Sequence, residues 1–182
     1  LPDWLFARLV ETSSEAEAIA FGRSMLKPAP LDLRVNTLVM SRDAALERLR
    51  ADKLEAGPTR HSPIGIRIQG KPPINRHPLF AEGAIEVQDE GSQLLGYLVS
   101  PKRREMVVDF CAGAGGKSLH LADLMNNKGS IIACDVAAYR LDKMKPRLIR
   151  AKLDNVRLLP ISTENDDALT PLFGEADAVL VD

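Results

Sequence analysis

The stretch Asp109-Phe110-Cys111-Ala112-Gly113-Ala114-Gly115-Gly116-Lys117 stands where the apolar run Met106-Val107-Val108 gives way to a helical pattern over Lys117 to Met125. Glycines permit positive φ and let a ligand approach the backbone, and a helix N-terminus presents unpaired amides. A strand, a glycine loop and a helix in that order therefore make a pocket for a nucleotide-type ligand. The spacing narrows the ligand class. A phosphate-binding P-loop keeps four residues between its first glycine and the terminal Gly-Lys-Ser/Thr, and here that first position is Cys111, so the P-loop fails. The dinucleotide fingerprint places its third small residue at Ser118, a poor match.

Working downstream, the next strand ends Ile131-Ile132-Ala133-Cys134-Asp135 and puts a carboxylate roughly 20 residues beyond the loop, where the ribose hydroxyls of an adenosine ligand would lie. An aspartate at a strand end can also simply cap the next helix. Then follow a helix over Tyr139 to Lys152, a strand over Asn155 to Leu159, a helix near Asp167 to Leu172 and a strand over Ala176 to Asp182. Pro146 is expected to kink that long helix or to end its first part near Lys145. Strict alternation implies parallel pairing through right-handed crossovers. The unalternated apolar runs Met106-Val107-Val108, Ile131-Ile132-Ala133 and Ala178-Val179-Leu180-Val181 predict strands covered on both faces. The fold class is α/β, with residues 89–182 the first half of a Rossmann-like sheet.

Upstream, residues 1–30 read as a helical segment: helices over Pro2 to Val10 and Glu15 to Met25, with Ser14 and Glu17 spaced as a capping box. Trp4, Leu5, Leu9, Ile19 and Phe21 supply its apolar faces. Lys27-Pro28-Ala29-Pro30 cannot continue a helix. Residues 31–88 read as a small α+β domain: a strand over Leu31 to Thr37, a Ser41-capped helix over Arg42 to Lys53, and strands over Ile64 to Ile68 and Ala84 to Val87. Lys71 to Pro78 reads as an exposed loop, and Glu90 to Val99 as a short helix leading into the second domain.

With 182 residues, 45% of them hydrophobic, the chain can bury a real core. No apolar run reaches the roughly 20 residues that span a bilayer, and the expectation is a soluble cytoplasmic protein without membrane or metal. Cys111 and Cys134 lack zinc-site spacing. Each reads as a small buried hydrophobe. A net charge of -1 excludes a protein that coats nucleic acid indiscriminately and leaves RNA binding to local patches.

Five stretches in order resemble the RsmB/Fmu/Sun family of RNA 5-cytosine methyltransferases: Leu33-Arg34-Val35-Asn36-Thr37, Val87-Gln88-Asp89-Glu90-Gly91-Ser92-Gln93, the loop Asp109 to Lys117, Asp135 with Arg140, and Val179-Leu180-Val181-Asp182. The Gln-Asp-Glu-Gly-Ser stretch is the most specific. The loop departs from the commonest family form at Gly113 and Ala114, where alanine and proline are usual. The resemblance implies S-adenosyl-L-methionine as cofactor, wrapped by Cys111, Ala112, Gly113, Ala114, Gly115, Gly116 and Lys117, with Asp135 on the ribose, Arg140 beside the adenosine and Asp182 facing cofactor and base. The family's acidic contact after the third strand has no counterpart in Leu159 to Asp166.

The resemblance also implies RNA, in particular ribosomal RNA, as substrate. Residues 31–88 would be an RNA-recognition-like domain, with Arg34, Arg60, Arg67, Lys71 and Arg76 available to phosphates. Lys102-Arg103-Arg104 reads equally as a phosphate contact or a solvated linker, and Arg140, Lys143, Lys145, Arg147 and Arg150 as a solvated helix face. The attacking cysteine in the family lies downstream of the aspartate matching Asp182. No catalytic residue is therefore assigned, and this chain alone is expected to be inactive. The competing expectations are a non-catalytic RNA- or cofactor-binding module and a methyltransferase acting on DNA or protein.

Overall fold

A computed structural model describes residues 1–182, which divide into two compact units, Leu1–Pro30 and Leu31–Asp182. The first unit is a pair of helices, α1 (Asp3–Thr12) and α2 (Glu15–Ser24). Ser14 caps α2 by accepting the Glu17 amide, as its spacing predicts. The pair buries Ala18, while Trp4, Ile19 and Phe21 are exposed.

The second unit begins with β1 (Leu31–Val35), α3 (Arg42–Ala51), β2 (Ala56–Pro58), β3 (Gly65–Ile68), α4 (Pro78–Ala81) and β4 (Ile85–Val87). Its antiparallel sheet has the order β2-β3-β1-β4, the βαββαβ arrangement of a ferredoxin-like fold. Ser41 caps α3 through the Ala44 amide. Two elements differ from expectation. Ala56-Gly57-Pro58 pairs as an edge strand, where a proline is tolerated because its missing N–H would face outward. The Lys71–Pro78 segment is not an open loop: a 3-10 turn at Ile74–Arg76 buries Ile74, and α4 buries Leu79.

A connecting helix α5 (Glu90–Val99) leads to β5 (Met106–Asp109), α6 (Gly116–Leu124), β6 (Ser130–Asp135), α7 (Ala138–Asp142), α8 (Lys145–Ala151), β7 (Val156–Pro160), a 3-10 turn at Asp167–Leu172 and β8 (Ala178–Leu180). Pro146 sits in the first turn of α8 and separates it from α7. The parallel sheet runs β7-β6-β5-β8. Chain order reverses direction between β5 and β8, and open α/β sheets bind ligands at such a switch point, beyond the strand carboxyl ends. The expectation of cover on both faces holds for the central strands β5 and β6 alone. At the edges, β7 is only partly buried and Val179 of β8 is exposed.

The two sheets meet through buried polar contacts from the matched stretches. Arg34 is fully enclosed; its Nη1 lies 3.3 Å from Asp123 of α6 and its Nε donates to Gln88 Oε1 at 2.7 Å. Asp123 also accepts from the Thr37 hydroxyl at 2.5 Å, and Asn36 Nδ2 donates to the carbonyls of Gly83 and Ala151. Gln93 of α5 donates to the carbonyls of Leu33 and Gln88. Arg34 and Arg67 are therefore not free for phosphates: Arg67 is held by Asp32 at 2.7 Å. The helix face expected to be solvated is likewise committed in part, since Arg147 and Arg150 of α8 converge on buried Glu86 of β4.

Candidate cofactor site

The turn out of β5 is fixed from both sides. Phe110 N donates to Leu180 O and Ala112 N to Cys134 O, each at 2.8 Å, so the loop is stitched to both neighbouring strands. Gly113 and Gly115 have φ of 56° and 86°, where a side chain would be strained. Their missing side chains face the protein. A Cβ on Gly113 would stand 2.6 Å from Arg140 Nη2, and one on Gly115 would stand 2.4 Å from Met144 Cγ. These two glycines let the loop lie down on α7 and α8, rather than opening the backbone to a ligand.

The loop forms one wall of a cavity of about 390 Å³ lined by Val87, Gln88, Asp89, Ser92, Asp109, Cys111, Ala112, Ala114, Gly116, Lys117, Arg140 and Asp182. That volume lies within the ordinary range of small-ligand sites, about 300–1,000 Å³. Seven expected residues line it: Cys111, Ala112, Ala114, Gly116, Lys117, Arg140 and Asp182. Gly113, Gly115 and Asp135 stand behind the wall. Asp135 accepts from the amides of Gly113 and Ala137, each at 2.8 Å, and Arg140 Nη1 lies 3.6 Å away. Its carboxylate closes the loop, and each oxygen keeps a further lone pair for an outside donor. Cys111 is exposed at the cavity, contrary to its reading as a buried hydrophobe, whereas Cys134 is fully buried and burial pushes its thiol up to about 11.

The opposite wall comes from the stretch Val87 to Ser92, whose lining role the residue pattern did not assign. Asp89 caps α5 by accepting from Gly91 N at 2.6 Å. Gln88 is pinned through its Oε1 by Arg34, while its Nε2 is buried and makes no hydrogen bond. That amide is an unspent donor at the cavity wall, 3.8 Å from where a Gly116 Cβ would stand. A buried donor without a partner costs about 1–3 kcal/mol, which a ligand acceptor would offset.

Charge is mixed but ordered. Asp109 is buried, accepts from Ser118 Oγ at 2.6 Å, and has its carboxyl pushed above the ordinary range by burial. Lys117 forms an ion pair with Asp182 across the mouth between α6 and β8. Arg147 Nη1 donates to Ala114 O at 2.5 Å while its Nη2 reaches Glu86 at 3.0 Å, so the loop is tied through α8 to the first sheet.

Two family descriptions match consecutive parts of the chain: an RsmF/B-like methyltransferase ferredoxin-like domain over residues 1–75 and 16S rRNA methyltransferase RsmB/F over residues 96–182. A probable ribosomal RNA small subunit methyltransferase B of Synechocystis sp. is 34% identical over 158 residues, covering 86% of this chain and 35% of that protein. The crystal structure of a methyltransferase homolog protein from Pyrococcus horikoshii matches with a TM-score of 0.82 at 28% identity, covering all of this chain and 63% of that one. The fold is also that of NSun6 from Pyrococcus horikoshii, solved with SFG: TM-score 0.89, 19% identity, all of this chain and 70% of that one. The chain spans about a third of the length of the curated relatives it matches. A ferredoxin-like sheet and a Rossmann-like sheet in this order, joined by the matched stretches, place the chain in the RsmB/RsmF methyltransferase family.

Proposed function

We propose that the protein containing this chain is an S-adenosylmethionine-dependent RNA methyltransferase acting on carbon 5 of cytosine, with ribosomal RNA as substrate, working in the cytoplasm. The observation that carries the reading is the cavity at the β5/β8 switch point, walled by the glycine loop and by Gln88 with its unspent donor. The residues suit an adenosyl amino acid. The N-terminus of α6 and Lys117 suit a carboxylate, Asp89, Asp109 and Asp182 suit the cationic end, and Asp135, behind the wall, fixes the loop that would face the ribose. Relatives named ribosomal RNA small subunit methyltransferase B and the SFG held by the same fold in NSun6 support it.

The cofactor, when bound, supplies a methyl group on a sulfonium centre. The chain's own part is to bind and orient. Arg34 holds Gln88 in place, Asp135 and Arg147 hold the loop, and Lys117 orients Asp182 at the mouth. Carbon 5 of cytosine becomes nucleophilic only after a thiolate adds to carbon 6. Cys134 is unsuited, being buried with a raised thiol pKa, and the attacking cysteine belongs to the sequence that follows Asp182 in the family. Residues 31–88 serve as the RNA-side domain and 89–182 as the first half of the cofactor domain.

The test is transfer of label from methyl-tritiated S-adenosylmethionine to unmodified small-subunit ribosomal RNA, followed by nucleoside separation. Label in 5-methylcytidine is expected. Label on DNA or protein with none on RNA would contradict the proposal.

A further inference from the structure

The sequence offers many cations to RNA, and the fold commits several of the arginines to carboxylates of its own. Arg34 is committed to Asp123, Arg67 to Asp32, Arg48 to Glu82, Arg140 to Asp135, and Arg147 with Arg150 to Glu86. Arg76 lines a separate pocket beside Asp52 and His77, whose side chains lie 3.0 Å apart. A polyanion needs cations whose charge is not already neutralised.

Arg103, Arg104 and Lys128 meet that requirement together. They line, with Gly129, a cleft of about 450 Å³. Arg103 and Arg104 lead into β5, and Lys128 and Gly129 lead into β6. Two crossings of the chain thus bring three cations to one place, and all three are exposed. Two nearby carboxylates are occupied: Glu105 accepts from Lys102 N at 2.8 Å and pairs with its ammonium, and Asp177 accepts from Met106 N at 2.8 Å. The bend is tight because Gly129, at φ 71°, packs against backbone: a Cβ there would stand 2.5 Å from Glu105 O.

We propose that this cleft is a phosphodiester-binding surface that holds RNA backbone at the end of the parallel sheet opposite the cofactor cavity. The inference rests on the RNA substrate reading and adds a second anchoring point to it. No aromatic side chain lines the cleft, so it holds phosphate without reading bases. The six residues of β6 span about 20 Å between it and the far end of the sheet, at roughly 3.3 Å per residue. An RNA that reaches both points lies along the sheet.

The experiment uses the protein at its natural length and a fluorescein-labelled single-stranded ribosomal RNA segment, with anisotropy titrations at several salt concentrations. The triple variant Arg103→Ala, Arg104→Ala, Lys128→Ala is compared with Arg60→Ala, Lys71→Ala, Arg76→Ala, and S-adenosylmethionine affinity is measured in both. Loss of three phosphate contacts lowers the slope of log K against log salt by about 2, at about 0.7 per contact on single strands. The expected result is that reduction with about ten-fold or greater weakening in the cleft variant, and unchanged cofactor affinity. RNA affinity and salt slope unchanged in the cleft variant, with the unmutated protein binding RNA, would overturn the cleft and leave the substrate reading standing. No RNA binding by the unmutated protein would overturn both.

Discussion

At the residue scale, one loop glycine and one buried arginine carry distinct burdens. Gly115 combines φ of 86° with Met144 packed beneath it, so Gly115→Ala adds backbone strain and a collision. The expected loss is about 2 kcal/mol, read as a lower urea midpoint with unchanged slope. Arg34 and Asp123 are both enclosed at the junction of the two sheets. Arg34→Met leaves Asp123 as an uncompensated buried charge and releases Gln88, so stability should fall by about 3–5 kcal/mol. Adding Asp123→Leu should recover part of that loss, because removing both charges removes the desolvation cost as well. A double variant no more stable than Arg34→Met would refute this reading of the pair. The loop's glycines were visible in the sequence, but their reason was not. Spacing shows where positive φ is wanted, and only packing shows that Arg140 and Met144 occupy the space a side chain would need.

At the scale of elements, α8 does what its composition conceals. Five cations on one helical run suggest a solvated face, yet Arg147 and Arg150 turn inward because Glu86, buried at 4% exposure on β4, needs neutralising. Arg147 then has a second donor for Ala114 O, and this links the first sheet to the glycine loop. Arg147→Lys keeps the charge but cannot reach both acceptors with a planar fork. It should weaken S-adenosylmethionine about ten-fold in a calorimetric titration while shifting the melting temperature little; equal affinity in variant and parent would show that the link does not position the loop.

The start of α5 carries a pH signature. Hydrogen bonds from the His61 and Ser62 amides hold Glu90 down at about 2. A depressed folded value means the stabilisation is present above the ordinary carboxylate range and disappears as pH falls toward 2. Glu90→Gln should therefore lower stability at pH 7 and flatten the loss of stability between about pH 4.5 and 2 in denaturant titrations.

Helix boundaries at Ser14, Ser41 and the proline-led start of α8 were legible because caps and prolines act locally. β2 and α4 were not. Ala56-Gly57-Pro58 has the composition of a turn and becomes a strand by pairing with β3, and α4 is a single turn between prolines and a glycine.

At the scale of the whole molecule, the alternation after Met106 sufficed for a parallel sheet, while the strand order β7-β6-β5-β8, and with it the switch point, is a tertiary property. The same holds for the cavity's second wall. Gln88 and Asp89 stood out in sequence as part of an unusual stretch, but only the packing of α5 on α6 brings them opposite the loop. β8 forms the outer edge of this sheet, with Val179 and Val181 exposed, a surface that sheet proteins cover.

The central claim is that the cavity between the glycine loop and Gln88 is the S-adenosylmethionine site. The direct measurement is calorimetric titration of S-adenosylmethionine into the protein at its natural length and into Ala114→Trp, which fills the cavity from its loop wall while leaving both sheets in place. One site per chain in the parent, with affinity reduced at least a hundred-fold in the variant at unchanged melting temperature, is the predicted result. Equal affinity in the two proteins, or no binding to the parent, would contradict the account.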